Sequence, residues 1–191
     1  MARRSMREEI VDAALAQFHE KGFNAAAVKD ITDRAGVPKG SFYNHFPSKE
    51  ALAIVALERY GEQRRLTDLA DPGVPPVERI RKHFEFLRDD VVEHGITRGC
   101  LLGNFGTEIV DHSDPIRTAV HEGLVYWSGL LAGAIDEGQK AGEIRSDLPA
   151  DQAARYLLSA WEGTLIQARA DKSQAAFEVF FALTFDSLLK P

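Results

Sequence analysis

Apolar residues recur every three or four positions along nearly the whole chain, and the alternating pattern of β-strands is almost absent. One such helical face is formed by Val77, Ile80, Phe84, Leu87 and Val91. Glycine and proline, which end helices, stand where the pattern is interrupted. The sequence therefore predicts an all-α fold of about nine helices.

Two short helical patterns meet at a sharp break within residues 28–46. Gly36 follows the first pattern, at a place where a left-handed backbone suits glycine. Pro38 then stops the first helix and fits the first turn of the next. Phe42 and Phe46 are four residues apart and face inward, which leaves the polar residues of the second helix outward. This arrangement predicts a helix-turn-helix.

The outward side chains of the second helix suit a DNA duplex. They are Lys39, Ser41, Tyr43, Asn44 and His45. Lysine ammonium and tyrosine hydroxyl groups contact phosphates, whereas asparagine and serine hydrogen-bond base edges in the major groove. Two short helices with a Gly-Pro turn also occur in ordinary helical domains. The pattern alone therefore leaves DNA binding and a structural role both open.

The residues around this break resemble the N-terminal domain of the TetR family of transcriptional regulators. The similar runs are residues 13–23, 28–46 and 46–52. The resemblance implies a helix-turn-helix DNA-binding domain of three helices over residues 1–50. It also implies a larger helical domain for ligand binding and dimerisation over residues 51–191.

The resemblance also implies which residues contact DNA. The expected set is Lys29 and Lys39 for bases or phosphates, Ser41 and Asn44 for base edges, Tyr43, His45 and Lys49 for phosphates, and Gly40 for close backbone approach.

The chain departs from the family pattern just before Val28. The family carries hydroxyl residues there, which cap the second helix and touch a phosphate, but this chain reads Asn24-Ala25-Ala26-Ala27. Loss of such a cap costs about 1 kcal/mol. Either Asn24 caps from further back, or that phosphate contact is absent.

The net charge of −6 is unevenly distributed. Residues 1–50 hold eight Lys or Arg against seven Asp or Glu, and the other 15 basic and 22 acidic residues follow them. An acidic body repels DNA, so only the N-terminal end is expected to dock. The alternative is that the N-terminal end is simply neutral.

The last predicted helix, residues 174–189, is apolar nearly all round. One apolar face packs on its own domain, and a second needs another partner. Two copies of the last two helices would form a four-helix homodimer interface, which the resemblance also implies. Such a dimer reads a palindromic operator on double-stranded DNA. The alternative is that the terminal helix lies in a groove of its own monomer.

The middle helices are where we expect a small-molecule effector to bind. The candidate positions are Phe84, Leu87, Cys100, Leu101, Asn104, Phe105, Glu108, Tyr126, Trp127 and Trp161. Each of them has core packing as an alternative role. The resemblance implies that the ligand moves the DNA-binding heads apart and releases the operator, which makes the protein a repressor.

Cys100 is the single cysteine, so an intrachain disulfide and a multi-cysteine metal site are excluded. Residues 99–102 resemble a stretch of some TetR members in which the cysteine responds to electrophiles or oxidants. A reactive thiol needs a lowered pKa, which Arg98 or a helix N-terminus would provide. The alternative is a buried, inert thiol.

Two other function classes are alternatives. Glu108 and His112 lie four residues apart, with Asp111, Asp114 and His121 nearby, but no metalloprotease spacing or nucleophile motif accompanies them. We therefore expect no enzyme activity, no metal and no cofactor. A helical ligand-binding or interaction protein without DNA binding is the other alternative. The absence of a long apolar run and of a secretory pattern predicts a cytoplasmic protein without a membrane partner.

Overall fold

The computed structural model describes residues 5–191, and no β-strand occurs among them. This part of the chain forms nine α-helices: α1 (Met6–Ala25), α2 (Val28–Ala35), α3 (Lys39–Phe42), α4 (Lys49–Gln63), α5 (Pro76–Glu93), α6 (Leu101–Glu108), α7 (Asp114–Lys140), α8 (Ala150–Asp171) and α9 (Ala175–Leu183). Short 3-10 turns cover Leu66–Ala70 and Val110–His112, and a π-helical turn, Thr184–Leu188, follows α9. The predicted all-α fold is confirmed. Arg3 and Arg4, which entered the charge count, lie outside the described residues.

Two helix starts show how far side-chain capping is used. Ser48 accepts a hydrogen bond from the Ala51 N–H at 3.1 Å and so caps α4, and serine is one of the residues preferred at such a position. Helix α2 instead begins after Ala27 with no side-chain cap. The hypothesis that Asn24 caps α2 is therefore wrong, because the chain between Asn24 and Val28 turns without bringing that side chain to the free N–H groups.

The chain forms two compact units. The N-terminal unit ends at Gln63 and also contains Leu101–Gly123, whereas the C-terminal unit consists of Arg64–Cys100 and Leu124–Pro191. Helix α7 contributes residues to both. The predicted boundary at residue 50 lies at the start of α4, whereas the compact N-terminal unit also includes all of α4 and α6.

The N-terminal unit has its own aromatic and aliphatic core. Helix α1 packs against α2, α4 and α6. Phe18 and Phe105 are fully buried, and their rings meet edge to face with centroids 5.5 Å apart. Burial of each such side chain contributes about 1.5–3 kcal/mol. The core of the N-terminal unit therefore includes α6, which begins 38 residues after Gln63 in the sequence.

The core of the C-terminal unit is an aromatic cluster. The Phe84 ring lies 5.2 Å from Trp161 and 4.9 Å from Phe180, centroid to centroid. Phe177 lies 5.6 Å from Trp161 on the same cluster. These contacts hold α8 and α9 against α5. None of the helices between residues 5 and 191 combines the length and the apolar character needed to cross a lipid bilayer.

Candidate nucleic-acid interface and effector region

Backbone hydrogen bonds fix the turn between α2 and α3. Gly36 is left-handed, with φ of 68°, and its N–H donates to the Asp33 carbonyl at 3.2 Å. The Val37 N–H donates to the Thr32 carbonyl at 3.0 Å, which completes a Schellman motif. Pro38, with φ of −61°, then starts α3. The angle between α2 and α3 is therefore set by residues within the turn itself.

Helix α3 and the turn that follows it bury Phe42 and Phe46 and leave the polar side chains outside. Phe42 is fully buried and Phe46 is 3% exposed. Six of the eight predicted DNA-contact residues lie together on the outer side, and we call them the recognition surface: Lys39, Gly40, Ser41, Tyr43, Asn44 and His45. All of them are exposed except Ser41, which is half-buried. The geometry offers hydroxyl, amide, imidazole and ammonium groups to a partner.

The cations beside the recognition surface differ in how they are paired. Lys29 forms an exposed ion pair with Asp33, Nζ to Oδ2 2.5 Å, and this hydrogen bond raises the pKa of Lys29. Lys39 forms no ion pair with any residue that the structure describes. Lys39 can therefore meet a phosphate directly, whereas Lys29 must first leave Asp33.

The ammonium group of Lys49 is bound by backbone carbonyl groups at the end of α1. Its ammonium donates to the carbonyls of Phe23 at 2.8 Å and Ala26 at 3.2 Å. It also lies 4.3 Å from the centroid of the Phe23 ring. Partial burial lowers the pKa of Lys49. Lys49 thus binds the free carbonyl groups at the end of α1 and begins α4.

The side chain of Glu108, on α6, binds the same end of α1 as Lys49 does. The helix is interrupted at Gly22, with φ of 77°, and the N–H groups of Phe23 and Asn24 donate to the Glu108 carboxylate at 2.9 and 2.7 Å. A Cβ atom at Gly22 would lie 2.5 Å from Glu108 Oε2. Glu108 was a candidate effector ligand, and the structure shows it anchoring the end of α1 to α6.

The ten candidate effector residues are divided between the two units. Leu101, Asn104, Phe105 and Glu108 belong to the N-terminal unit, and the other six belong to the C-terminal unit. The carbon-rich candidates are buried, with exposed fractions of 0–4%: Phe84, Leu87, Leu101, Phe105, Trp127 and Trp161. Tyr126 is 55% exposed on α7. The structure therefore places the six carbon-rich candidates in the cores of the two units and leaves Tyr126 at the surface.

Cys100 is the last residue of the segment Arg64–Cys100 of the C-terminal unit, and it is 4% exposed. Its thiol forms a hydrogen bond with the Glu162 carboxyl group of α8. Burial raises the pKa of Glu162, and the bond to Cys100 opposes that rise. The thiol is thus enclosed, with a carboxyl group beside it.

Sequence reasoning missed two buried polar residues, Arg79 and His83 on α5. Each is 4% exposed. They lie four residues apart, on the same buried side of α5 as Ile80 and Phe84. The signal in the sequence was the presence of two polar residues within an apolar helix face. The Trp127 indole N–H donates to His83 Nε2 at 2.9 Å.

The outer face of α8 and α9 exposes large apolar side chains. Tyr156 and Ile166 on α8 are 61% and 63% exposed, and Val179 and Leu183 on α9 are 58% and 60% exposed. We call these four residues the α8–α9 face, and Tyr156, Val179 and Leu183 line a common groove. A face of this kind marks an interaction surface.

Two family models match the chain. Residues 10–56 match the model of bacterial regulatory proteins of the tetR family, and residues 76–183 match the model of the tetracyclin repressor-like C-terminal domain. The transcriptional repressor DhaR of Mycobacterium sp. (strain GP1) is 36% identical over 192 residues, which cover 99% of this chain and 95% of DhaR.

Solved structures are similar over nearly the full length. The regulatory protein TetR from Rhodobacter sphaeroides superimposes with a TM-score of 0.86 at 31% identity, covering 94% of this chain and 96% of that one. Escherichia coli NemR in its reduced form gives a TM-score of 0.87 at 28% identity, with coverage of 98% and 100%.

Proposed function

This chain belongs to the TetR family of DNA-binding transcriptional repressors, and we propose that it works as a homodimer that a small effector releases from a palindromic operator. The observation that carries the proposal is the recognition surface, whose six polar or small residues follow the fixed turn and are exposed except for the half-buried Ser41. Such a short helix, held from behind by Phe42 and Phe46, fits the major groove.

We assign the DNA contacts by chemistry and exposure. Lys39, Tyr43 and His45 are proposed to contact phosphates, and Ser41 and Asn44 are proposed to contact base edges. Gly40 allows close approach of the backbone. Lys29 is proposed as a further phosphate contact, which requires its ion pair with Asp33 to break. We leave Lys49 out of this set, because its ammonium already binds two carbonyl oxygens of the α1 end.

The α8–α9 face is the proposed dimer interface. Its four large side chains are more than half exposed in one chain, and a second copy related by a twofold axis would cover them with the same four residues. A twofold dimer presents two recognition surfaces. If they are about 34–36 Å apart, they enter successive major grooves of an inverted repeat.

The effector is proposed to bind the helices that follow α4 and to favour the state that does not fit the operator. A roughly 100-fold preference for that state corresponds to about 2.7 kcal/mol of coupling. The chain provides a covalent route for this coupling, because Cys100 of the C-terminal unit is followed directly by α6. Glu108, at the other end of α6, binds the end of α1.

Fluorescence anisotropy with labelled duplexes tests the DNA-binding part of this proposal. The duplexes are inverted repeats from the region beside the gene, with a scrambled duplex of the same composition as reference. We expect Asn44→Ala to weaken binding to the inverted repeat by about 10–100-fold, since a good base contact contributes about 1–3 kcal/mol. Lys39→Gln should weaken both duplexes alike and lower the salt slope by about one per subunit.

Lys140→Gln is the matched control, because Lys140 is an exposed lysine on α7 outside the N-terminal unit. This variant should bind like the wild type. Equal binding of both duplexes by the wild-type protein at low and moderate salt would contradict sequence-specific recognition. Sedimentation of Val179→Glu, which puts a charge on the α8–α9 face, should show a monomer where the wild type is a dimer.

A further inference from the structure

A polar cavity of about 510 Å³ lies beside α5, wholly within the C-terminal unit. We call it the α5 cavity, and its lining residues are Arg65, Asp68, Asp71, Val74, Arg79, Lys82, His83, Glu85, Phe86 and Asp89. None of these residues is among the effector candidates of the sequence analysis. The size is within the usual range of small-molecule sites, about 300–1,000 Å³.

His83 supplies a buried hydrogen-bond donor to the wall of this cavity. Its Nε2 atom accepts the Trp127 indole N–H, so in a neutral ring the proton is on Nδ1. Burial lowers the pKa of His83 to about 4, with Asp68 opposing and Arg64 reinforcing the effect, and the ring is therefore neutral near pH 7. Nδ1 is buried and has no hydrogen-bond partner among the residues described.

Arg79 supplies a second donor one helical turn earlier. Its guanidinium is held by the Leu69 carbonyl, 3.0 Å from Nη1, and by the Glu137 carboxylate at Nη2. The Nε–H group is buried and has no partner within the described part of the chain. Residues four apart on a helix are neighbours, so Arg79 and His83 bring two unmatched N–H groups to the same side of α5.

We propose that the α5 cavity is the effector subsite and that it binds a small molecule through an oxygen acceptor, either a carbonyl or a carboxylate. The effect of this ligand on operator binding rests on the proposed function, whereas its binding to the cavity does not. The two unmatched N–H groups of His83 and Arg79 are both donors, and leaving a buried donor unmatched is costly. Acceptor oxygens on a ligand would match these donors, and Phe86 and Val74 add apolar side chains to the lining.

The charges of the lining limit the kind of ligand. Three cations, Arg65, Arg79 and Lys82, stand against the four carboxylates Asp68, Asp71, Glu85 and Asp89. The cations have acidic partners already: Asp68 for Arg65, Glu137 for Arg79 and Glu78 for Lys82. A multiply charged anion such as a phosphate ester therefore gains little here. The chemistry favours a singly charged carboxylate or a neutral carbonyl compound.

Histidine-ring NMR of the full-length protein without DNA tests the binding step. The probes are benzoate, benzamide and benzylammonium, which share one ring and differ in the head group. We expect benzoate or benzamide to shift the His83 ring resonances in a saturable manner, and benzylammonium, which has no acceptor oxygen, to leave them unchanged. The first two probes separate a carboxylate from a neutral carbonyl. Equal response to all three, or to none, overturns the proposal.

A variant pair separates the two donors from general charge attraction. His83→Gln retains an oxygen acceptor for the Trp127 N–H but removes the Nδ1–H donor, and we expect it to weaken the bound probe at least tenfold by calorimetry. Lys82→Gln removes a cation from the same lining and should change affinity less than threefold. Similar losses in both variants would mean nonspecific attraction, and an unchanged affinity in His83→Gln would mean that water alone occupies the donors. Either result overturns the proposal.

Operator binding is measured separately, so the two proposals fail in different ways. If the probe binds at His83 and lowers operator affinity in the wild type but not in His83→Gln, the α5 cavity is an effector subsite. If the probe binds and operator affinity does not change, the assignment as effector subsite is wrong, although the operator-binding proposal remains supported. If no inverted repeat is bound at all, the proposed function fails, whatever the NMR shows.

Discussion

The recognition surface and the α5 cavity present their polar groups in opposite ways. On the recognition surface, Tyr43 is 61% exposed and Lys39 has no ion-pair partner in the described chain. In the α5 cavity, Arg79 and His83 are each 4% exposed, and each has one buried N–H group without a partner among residues 5–191. The first surface costs no desolvation until DNA arrives, whereas the second carries that cost in the folded protein.

This difference shows how the two tasks depend on the fold. The recognition surface is produced by a local turn and by two phenylalanines four residues apart, so its geometry depends on a few neighbouring residues. The α5 cavity needs α5, the 66–70 turn and Trp127 of α7 to be packed together. We therefore expect that mutations on the recognition surface can change DNA affinity without changing stability. Mutations at the α5 cavity should change both ligand affinity and stability.

The largest expected effect is that of Phe42→Ala behind the recognition surface. Phe42 is fully buried, and truncation of a buried phenylalanine costs about 3–5 kcal/mol of unfolding free energy. The neighbouring change Tyr43→Ala is the matched control, since Tyr43 is 61% exposed and should cost less than about 1 kcal/mol. Urea unfolding followed by circular dichroism measures both.

The DNA affinities of the two variants sharpen that test. Tyr43→Ala should remain folded and bind the operator more weakly, because it loses the phosphate contact that we propose for Tyr43 in each subunit. Equal stability losses in the two variants would mean that the exposed and buried sides of α3 are not distinct. The proposed division, in which Tyr43 serves DNA binding and Phe42 serves stability, would then be wrong.

The pH dependence of stability is the next largest effect, and it concerns His83. The folded-state pKa is lowered to about 4 from 6.5, so between these values the unfolded chain takes up a proton that the folded protein does not. Stability should fall as the pH falls from 6.5 towards 4, by about 3 kcal/mol in total, and His83 should have no effect above that range.

The difference between wild type and His83→Gln isolates this contribution. Glu162 has a raised pKa and acts in the opposite sense, since its stabilising effect is lost as the pH rises through the folded pKa. It is present in both proteins and cancels in the difference. Urea unfolding at a series of pH values should show a steeper acid loss in the wild type. Parallel curves would show that His83 is solvated.

A smaller effect is expected from Glu108→Gln, which tests the link between α6 and α1. The carboxylate accepts two backbone N–H groups, and the amide retains one acceptor oxygen without the charge. We expect a loss of about 1–2 kcal/mol of unfolding free energy. Glu122→Gln, an exposed glutamate of α7 in the same unit, should change stability by less than about 0.5 kcal/mol.

Glu108→Gln also bears on how the effector signal travels. If α6 carries the coupling, effector release should weaken in Glu108→Gln, while operator affinity without effector changes less. An unaltered response to effector would exclude this anchor from the coupling route. The result separates a merely structural anchor from a regulatory one.

The sequence predicted those parts of the molecule that short-range rules determine. The Gly36–Pro38 turn, the Ser48 cap and the inward Phe42 and Phe46 each follow from residues within about one helical turn. Lys49 and Glu108 could not be placed in this way. Their partners are backbone groups of the α1 end, 23–26 and 84–85 residues away in the chain, which become available only because α1 breaks at Gly22.

The α5 cavity escaped prediction for a related reason. Arg79 and His83 interrupt an apolar stripe and were visible as polar residues, but their value as donors depends on which of their nitrogen atoms remain unmatched. That depends on Leu69, Glu137 and Trp127, whose positions are set by tertiary packing. Cavities of this kind follow from packing and not from periodicity.

The smallest expected effect is that of Cys100→Ser. This variant tests whether the thiol of Cys100 is accessible to reagents, as the side chains of the recognition surface are to solvent. Cys100 is 4% exposed and hydrogen-bonded to Glu162, and a carboxyl neighbour does not stabilise a thiolate as a cation would. We therefore expect iodoacetamide to label the native protein far more slowly than the urea-unfolded protein, as measured by mass spectrometry. Operator affinity should be the same in wild type and Cys100→Ser after this treatment. Rapid labelling of the native protein, with operator release that Cys100→Ser abolishes, would instead make Cys100 a sensor and would require the loop before α6 to open in solution.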